Sequence, residues 1–270
     1  MPVETNNDLR ISILASGSSG NITYVESDKK KLLIDCGLSG KKTIELLKKV
    51  DRDPKDLDAI LVTHEHTDHI HGVGVLARKY NLDVYANKKT WEAMEAKIGP
   101  LKTEQKYLFD RDKTMTFGDI DVSSFGVSHD AIDPQFYIFE KNNKRFVMLT
   151  DTGYVSDRMR GLIENADAYL FESNHDLSML RMGRYPWSVK QRILGDKGHL
   201  SNDDGALALS EILGDRTKEI YLGHLSKENN MKDIARSTFE EILMAKETGV
   251  GEAFHLFDTD PAAPTNLFSI

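Results

Sequence analysis

His64-Glu65-His66-Thr67-Asp68-His69 follows directly on an apolar run, residues 59–62, that reads as a buried strand, and the two together decide the fold. Four potential metal ligands within six residues have no simple structural use. Polar groups at the end of a buried strand need partners, and neighbouring imidazoles crowd one another. A metal resolves both problems. Alternating His64 and His66 can face one ion, while the turn carries Asp68 and His69 towards a second, so that two ions about 3.5–4 Å apart could share a water or hydroxide. Residues 70–80 (IHGVGVLARKY) read as a helix leaving the cluster, which puts the ligands at the carboxyl end of a strand, on a rigid base.

Each ion needs more ligands than this segment supplies, and the chain offers them in matching contexts. His129 follows an expected strand at 120–127, Asp151 follows one at 145–149 in Leu149-Thr150-Asp151-Thr152-Gly153, and His224 follows one at 218–222 in Leu222-Gly223-His224-Leu225-Ser226. The one cysteine, Cys36, can form neither an internal disulfide nor a Cys-rich zinc site, so any metal is held by His and carboxylate. Cys36 itself reads as a small core residue at a strand end.

A chain of 270 residues with 40% hydrophobic content can build a large core, and no linker, repeat or low-complexity run divides it, so one domain over 1–270 is expected. Residues 10–15, 22–26 and 31–35 form an expected opening meander, with Lys29-Lys30-Lys31 at a hairpin tip. The turn Ser16-Gly17-Ser18-Ser19-Gly20-Asn21 has two readings: a tight hairpin, or backbone N–H groups aimed at an anion. A helix over 39–50 ends before Pro54. Further strands are expected at 83–86, 135–140 and 167–171, and helices at 157–163, 203–213 and 231–245. A mostly β first half and a β/α second half suit a layered α/β protein. The opening MPVETNNDLR lacks the apolar stretch of a secretory signal, and no run approaches a membrane span of about 20 residues. A cytoplasmic protein with no membrane partner is the expectation. The sequence carries no signal for an oligomeric state. Net charge of -8 argues against adhesion to polyanions over the whole surface but leaves room for a local basic groove.

Asp35 in Leu33-Ile34-Asp35-Cys36-Gly37, His64 to His69, His129, Asp151 and His224 match in order the five motifs of the metallo-β-lactamase superfamily, which the chain resembles over nearly its full length. The resemblance implies a four-layer αββα sandwich and two divalent ions per chain. It would place His64, His66 and His129 on one ion and Asp68, His69 and His224 on the other, with Asp151 bridging them. Asp35 would stand behind the ligands, orienting a histidine or the His64–His69 loop; a plain turn carboxylate is the other reading. All donors are N or O, which suits Zn²⁺ and Mn²⁺ alike.

Superfamily members hydrolyse lactams, lactones, thioesters and phosphodiesters, so other residues must decide the substrate. A phosphodiester has a poor leaving group that benefits from a proton donor. Glu172 in Phe171-Glu172-Ser173-Asn174-His175 and His199 in Gly198-His199-Leu200-Ser201-Asn202 would supply one, the carboxylate holding the imidazole. The bland alternative is that Ser201 or Asn202 caps a helix and His199 packs beside it. Between them lie Arg181, Arg184, Lys190, Arg192 and Lys197 against the single acid Asp196, with Tyr185 and Trp187 interleaved. These offer phosphate-binding charge beside stacking surfaces, or form a solvated basic helix face. His175 is a further candidate phosphate contact, whereas His71 and His255 are assigned to structure. Asp68 is also a candidate acceptor of the nucleophile's proton.

The Ser16–Asn21 turn, the runs at 172–176 and 198–202, and the run at 222–230 that contains Ser226, a candidate substrate contact, look like the bacterial YycJ (WalJ) group. That resemblance implies a metal-dependent exonuclease acting on DNA from the 5′ end and points towards DNA repair, favouring DNA over RNA as partner. The residues alone reach phosphodiesterase. The rivals are an RNA-processing phosphodiesterase, a thioesterase or small-phosphodiester hydrolase of the same fold, and a scaffold that keeps metal only for stability.

Overall fold

The computed structural model describes residues 8–270; residues 1–7, most of the polar opening read above, lie outside the described residues. The strands are β1 (Arg10–Ala15), β2 (Ile22–Glu26), β3 (Lys31–Ile34), β4 (Ala59–Leu61), β5 (Asp83–Ala86), β6 (Lys106–Leu108), β7 (Thr114–Phe117), β8 (Ile120–Gly126), β9 (Gln135–Lys141), β10 (Lys144–Leu149), β11 (Ala168–Glu172), β12 (Glu219–Gly223), β13 (His255–Asp258) and β14 (Phe268–Ser269). One sheet has the order β14-β1-β2-β3-β4-β5-β6 and the other β13-β12-β11-β10-β9-β8-β7. The helices are α1 (Gly40–Lys49), α2 (Thr67–Ile70), α3 (Val73–Tyr80), α4 (Lys88–Ile98), α5 (Asp157–Ile163), α6 (Leu177–Met182), α7 (Trp187–Leu194), α8 (Asn202–Ser210) and α9 (Lys232–Ala245).

Strand alternation explains the layers. Leu32 and Ile34 of β3 and Ala59 and Leu61 of β4 join a core shared with the second sheet, while Leu33 and Ile60, one residue out of phase, join another core. Side chains on a strand point alternately to its two faces, so the first sheet is buried on both. Leu46 and Leu47 of α1, Leu76 of α3 and Met94 of α4 cover its outer face. Ile163 of α5, Leu209 of α8 and Phe239 of α9 pack with the second sheet. The result is the expected αββα sandwich.

Strand direction then places the site. β3 and β4 run parallel, as do β10, β11 and β12. β8 runs with β10, because both are antiparallel to β9. The carboxyl ends of all six strands therefore open on one edge of the sandwich, and every motif residue follows one of them.

The structure departs from the sequence reading in places. The helix expected over 70–80 is broken into α2 and α3 at His71-Gly72, where a Cβ on Gly72 would come within 2.5 Å of the Cys36 sulfur; only glycine permits that approach. The helix α4 and the strands β6, β7, β13 and β14 lie where no element is expected, and α6 and α7 divide the basic stretch for which a helix face is one of the two readings. β6 and β7 are short edge strands whose residues are largely exposed, so no apolar alternation announces them. Cys36 is fully buried, and His71 and His255 are exposed. Among the described residues no helix is long and apolar enough to cross a membrane.

Away from the site, Glu26 closes the first sheet against α1's trailing loop. Its carboxylate, 1% exposed, accepts from Arg10 at 2.6 Å, from Arg52 at 2.5 and 2.8 Å, and from the Tyr24 hydroxyl. Burial pushes its pKa up, but the bonds from Arg52, Tyr24 and Arg10 win and bring it down to about 2. A carboxyl whose folded pKa lies below its unfolded value of about 4.3 adds stability that is complete above that unfolded value and is lost as pH falls towards 2. Glu26→Ala leaves two guanidiniums without their buried partner and is expected to cost about 3–5 kcal/mol. Chemical denaturation at neutral pH and at pH 3 checks this: the gap between parent and variant should narrow at the lower pH.

Candidate metal centre

Three imidazoles meet at the end of β4. His66 Nδ1 lies 3.2 Å from His64 Nε2 and 3.2 Å from His129 Nε2. Beside them, Asp68 Oδ2 is 3.6 Å from His69 Nε2 and 3.7 Å from His224 Nε2. Asp151 stands between the groups: Oδ2 is 3.4 Å from His69 Nε2, while Oδ1 is 3.4 Å from His224 Nε2 and 3.8 Å from His129 Nε2. Ligands bound tetrahedrally at about 2.0–2.1 Å lie about 3.4 Å from one another. The seven residues are spaced as groups that share cations.

Two observations test the fit to metal. His224 Nε2 is buried without a hydrogen-bond partner, a state that costs about 1–3 kcal/mol unless something binds the lone pair. The field also attracts positive charge. Burial opposes charging of His69, yet Asp151, Asp35 and Asp68 raise its pKa to about 9. His224 is likewise held well above the usual range, burial being outweighed by Asp151, Asp68 and Glu172. His64, in contrast, is pushed well below it by burial and the surrounding imidazoles. The donors fit a divalent cation.

Backbone geometry aims these groups. Asp35, Asp151 and His224 each sit just past a strand end with positive φ (59°, 51° and 57°), a left-handed conformation uncommon for residues other than glycine. Such strain clusters at functional sites because the surroundings must hold it in place.

A ring of acceptors fixes the imidazoles. Asp35 Oδ2 lies 2.8 Å from His69 Nδ1, and the same carboxylate accepts from the Thr63 amide at 2.9 Å and hydroxyl at 2.8 Å. The Gly198 carbonyl is 3.2 Å from His129 Nδ1. Glu172 does more than the sequence suggested. Its Oε1 is 2.8 Å from His199 Nδ1 and 3.1 Å from His224 Nδ1, and its Oε2 accepts from the amides of Thr152 and Leu200. It thus orients both His199 and a candidate metal ligand. Asn21, expected only as the last residue of the Ser16–Asn21 turn, closes that hairpin by accepting from the Gly17 amide at 3.0 Å, and its side-chain nitrogen reaches within 3.2 Å of His69 Nε2.

The cluster floors a cleft of about 510 Å³. Tyr185, Val189, Arg192 and Ile193 line one wall, Lys97 and Asp130 are among the other lining residues, and His199, Ser226, Ser18 and Asn174 complete it. Of the expected substrate contacts, Tyr185, Arg192 and Ser226 face this cleft. Arg184 lines a neighbouring hollow with Tyr185, while Arg181 and Trp187 are exposed beyond the lining. Two expectations are corrected. Lys190 is buried, its ammonium donating to the carbonyls of Arg181 and Gly183 at 2.7 Å each, so it ties α6 to α7. His175 is also buried, with burial lowering its pKa to about 4, and does not line the cleft. Lys97 and Asp130 went unnoticed in the sequence. Lys97 lies on a helix that was not anticipated, and Asp130's only signal was adjacency to His129.

Residues 30–224 match the family model described as beta-lactamase superfamily domain. The chain is 62% identical over 263 residues to the exodeoxyribonuclease WalJ of Streptococcus pneumoniae serotype 2 (strain D39 / NCTC 7466), covering 97% of this chain and 98% of that protein. It is 59% identical over 259 residues to the exodeoxyribonuclease YycJ of Bacillus anthracis, covering 96% and 98%. Among solved structures, the metallo-beta-lactamase fold protein YhfI from Bacillus subtilis superposes with a TM-score of 0.71 at 16% identity over 96% of this chain and 99% of that one, a likeness of fold alone. Family match and near-full-length relatives agree with the motif order and the sandwich: this chain belongs to the beta-lactamase superfamily.

Proposed function

We propose that the chain is a metal-dependent exodeoxyribonuclease that hydrolyses DNA phosphodiesters in the cleft above the histidine cluster. The observation that carries this reading is His199, held at 2.8 Å by Glu172 at the cleft wall: a positioned proton donor is what an alkoxide leaving group requires and an activated ester does not. The names of the relatives from S. pneumoniae and B. anthracis support DNA as substrate and exonucleolytic attack. Digestion from the 5′ end and a place in DNA repair rest on the resemblance to the YycJ (WalJ) group.

Two divalent ions, Zn²⁺ or Mn²⁺, held by His64, His66 and His129 and by Asp68, His69 and His224 with Asp151 shared, would neutralise phosphate charge and activate water. The protein's own groups supply the rest. Asp68 is placed to accept the proton of the nucleophile. His199 protonates the departing oxygen, and Glu172 keeps the imidazole turned to do so. Arg192 and Lys97 offer charge to phosphates, Tyr185 offers a face to a base, and Ser226 a hydroxyl.

The test is a side-by-side assay of 5′-labelled DNA, 5′-labelled RNA, bis-p-nitrophenyl phosphate and a thioester. Release of labelled mononucleotide or short product from DNA first, with little turnover of the thioester, is expected. Turnover of the thioester alone overturns the reading, and preference for RNA replaces DNA as substrate.

A further inference from the structure

The cleft contains a carboxylate that lies outside the clusters of converging metal donors among the described residues. Asp130 stands at its wall with Oδ1 3.3 Å from His129 Nε2 and 3.8 Å from His66 Nε2, while Oδ2 lies 3.3 Å from the guanidinium of Arg192. An anion beside the path of a phosphodiester repels it, so its presence calls for a reason.

The surroundings supply one. The backbone segments that carry the two partners are anchored. The Asp130 loop is pinned by Glu65, whose Oε1 accepts from the Ile132 amide at 2.9 Å, and by the Gly153 amide donating to the Ser128 carbonyl at 2.8 Å. The carboxyl end of α7, where Arg192 lies, is docked to the same loop: the Ser128 hydroxyl donates to the Asp196 carbonyl at 2.7 Å, and a Cβ on Gly153 would come within 2.1 Å of that carbonyl oxygen. The Arg192 side chain is 65% exposed with the pair in place. A long, exposed arginine loses much rotamer freedom when it binds phosphate; a fixed carboxylate holds it over the centre beforehand.

The geometry points to Asp130 as a positioning residue for Arg192, the two forming a charge-balanced gate. Arg192 is held in place to clamp a phosphate next to the scissile one, and the guanidinium in turn masks a carboxylate that would repel the strand. Building on the nuclease reading, this assigns selectivity for polymeric phosphodiesters over small ones to a pair outside the metal ligands. It also fixes a sign. Asp130 helps binding while Arg192 is present and hinders it when Arg192 is gone.

The experiment measures KM and kcat for a 5′-labelled single-stranded oligonucleotide over a salt series, using full-length metal-loaded parent, Arg192→Ala, Asp130→Asn and the double variant. Bis-p-nitrophenyl phosphate, which has no neighbouring phosphate, and metal content serve as controls. Arg192→Ala should raise KM about tenfold, the size of one lost charged hydrogen bond, and flatten the logarithmic salt slope by about 0.7. Asp130→Asn should raise KM by about threefold in the parent, a modest electrostatic effect. In the Arg192→Ala background the same change should lower KM. Metal content should stay near that of the parent, and any loss on the small substrate should be smaller than the loss on the oligonucleotide. Losses of the same sign in both backgrounds, metal loss in Asp130→Asn, or equal losses on the small substrate overturn the gate while leaving the nuclease reading intact. Failure of the parent itself to degrade the oligonucleotide overturns that reading and the gate with it.

Discussion

Asp151→Ala is expected to abolish hydrolysis, by about a thousandfold or more, and to strip the protein of metal. The Asp151 carboxylate lies within 4 Å of nitrogens from both histidine groups: His129 of the first, and His69 and His224 of the second. Its removal would take a candidate anionic ligand from both sides at once. It would also leave His69 with only Asp35 and Asp68, and His224 with only Asp68 and Glu172, to favour positive charge, without the carboxylate that contributes first in both cases. A thousandfold loss corresponds to about 4 kcal/mol of transition-state stabilisation, within the several kcal/mol that metal ions contribute at phosphoryl centres. Metal content per chain, measured beside turnover on DNA, checks it. A variant that keeps both its metal and its activity would show that Asp151 is only a strained turn residue.

His199→Ala is expected to lower turnover on DNA by about 10²–10⁴, the usual contribution of a general acid, with metal content unchanged. The leaving group gives the discriminating result. p-Nitrophenolate departs without a proton, so bis-p-nitrophenyl phosphate should be hydrolysed at close to the parental rate. Equal losses on both substrates would place His199 in binding or folding instead. Glu172 is a poorer target for this question. Its Oε1 contacts His224 as well as His199, and its Oε2 holds two backbone amides, so its replacement disturbs a candidate ligand, a loop and the acid together.

The centre was legible because its chemistry is written in residue types that have no other use at strand ends. His64 to His69, His129, Asp151 and His224 each follow a strand recognisable from its apolar residues, and parallel pairing brings those ends to one edge. Asp35 and Glu172 were visible in the same way. What escaped was set by contacts between distant segments. Lys190 looks like its basic neighbours in sequence, but its ammonium is captured by two carbonyls at the end of α6. His175 sits one residue from Asn174, which lines the cleft, yet is buried behind it. Asp130 carries no motif, and the Ser16–Asn21 turn gives no sign of the contact its last residue makes; Asn21 reaches His69 across the close contact of Gly37 with the Asp68 backbone, where a Cβ would come within 1.6 Å of the carbonyl oxygen. The break between α2 and α3 likewise depends on Cys36 packing against Gly72, which periodicity along one segment does not reveal.

The central claim is that the seven converging residues hold metal for phosphodiester hydrolysis. It is tested most directly by titrating Mn²⁺ or Zn²⁺ into chelated protein while following digestion of 5′-labelled DNA and the bound metal per chain. Activity should be absent without metal and should rise to a plateau as binding approaches two ions per chain. DNA digestion undiminished in the chelated protein, or full metal binding with no DNA digestion, would contradict it.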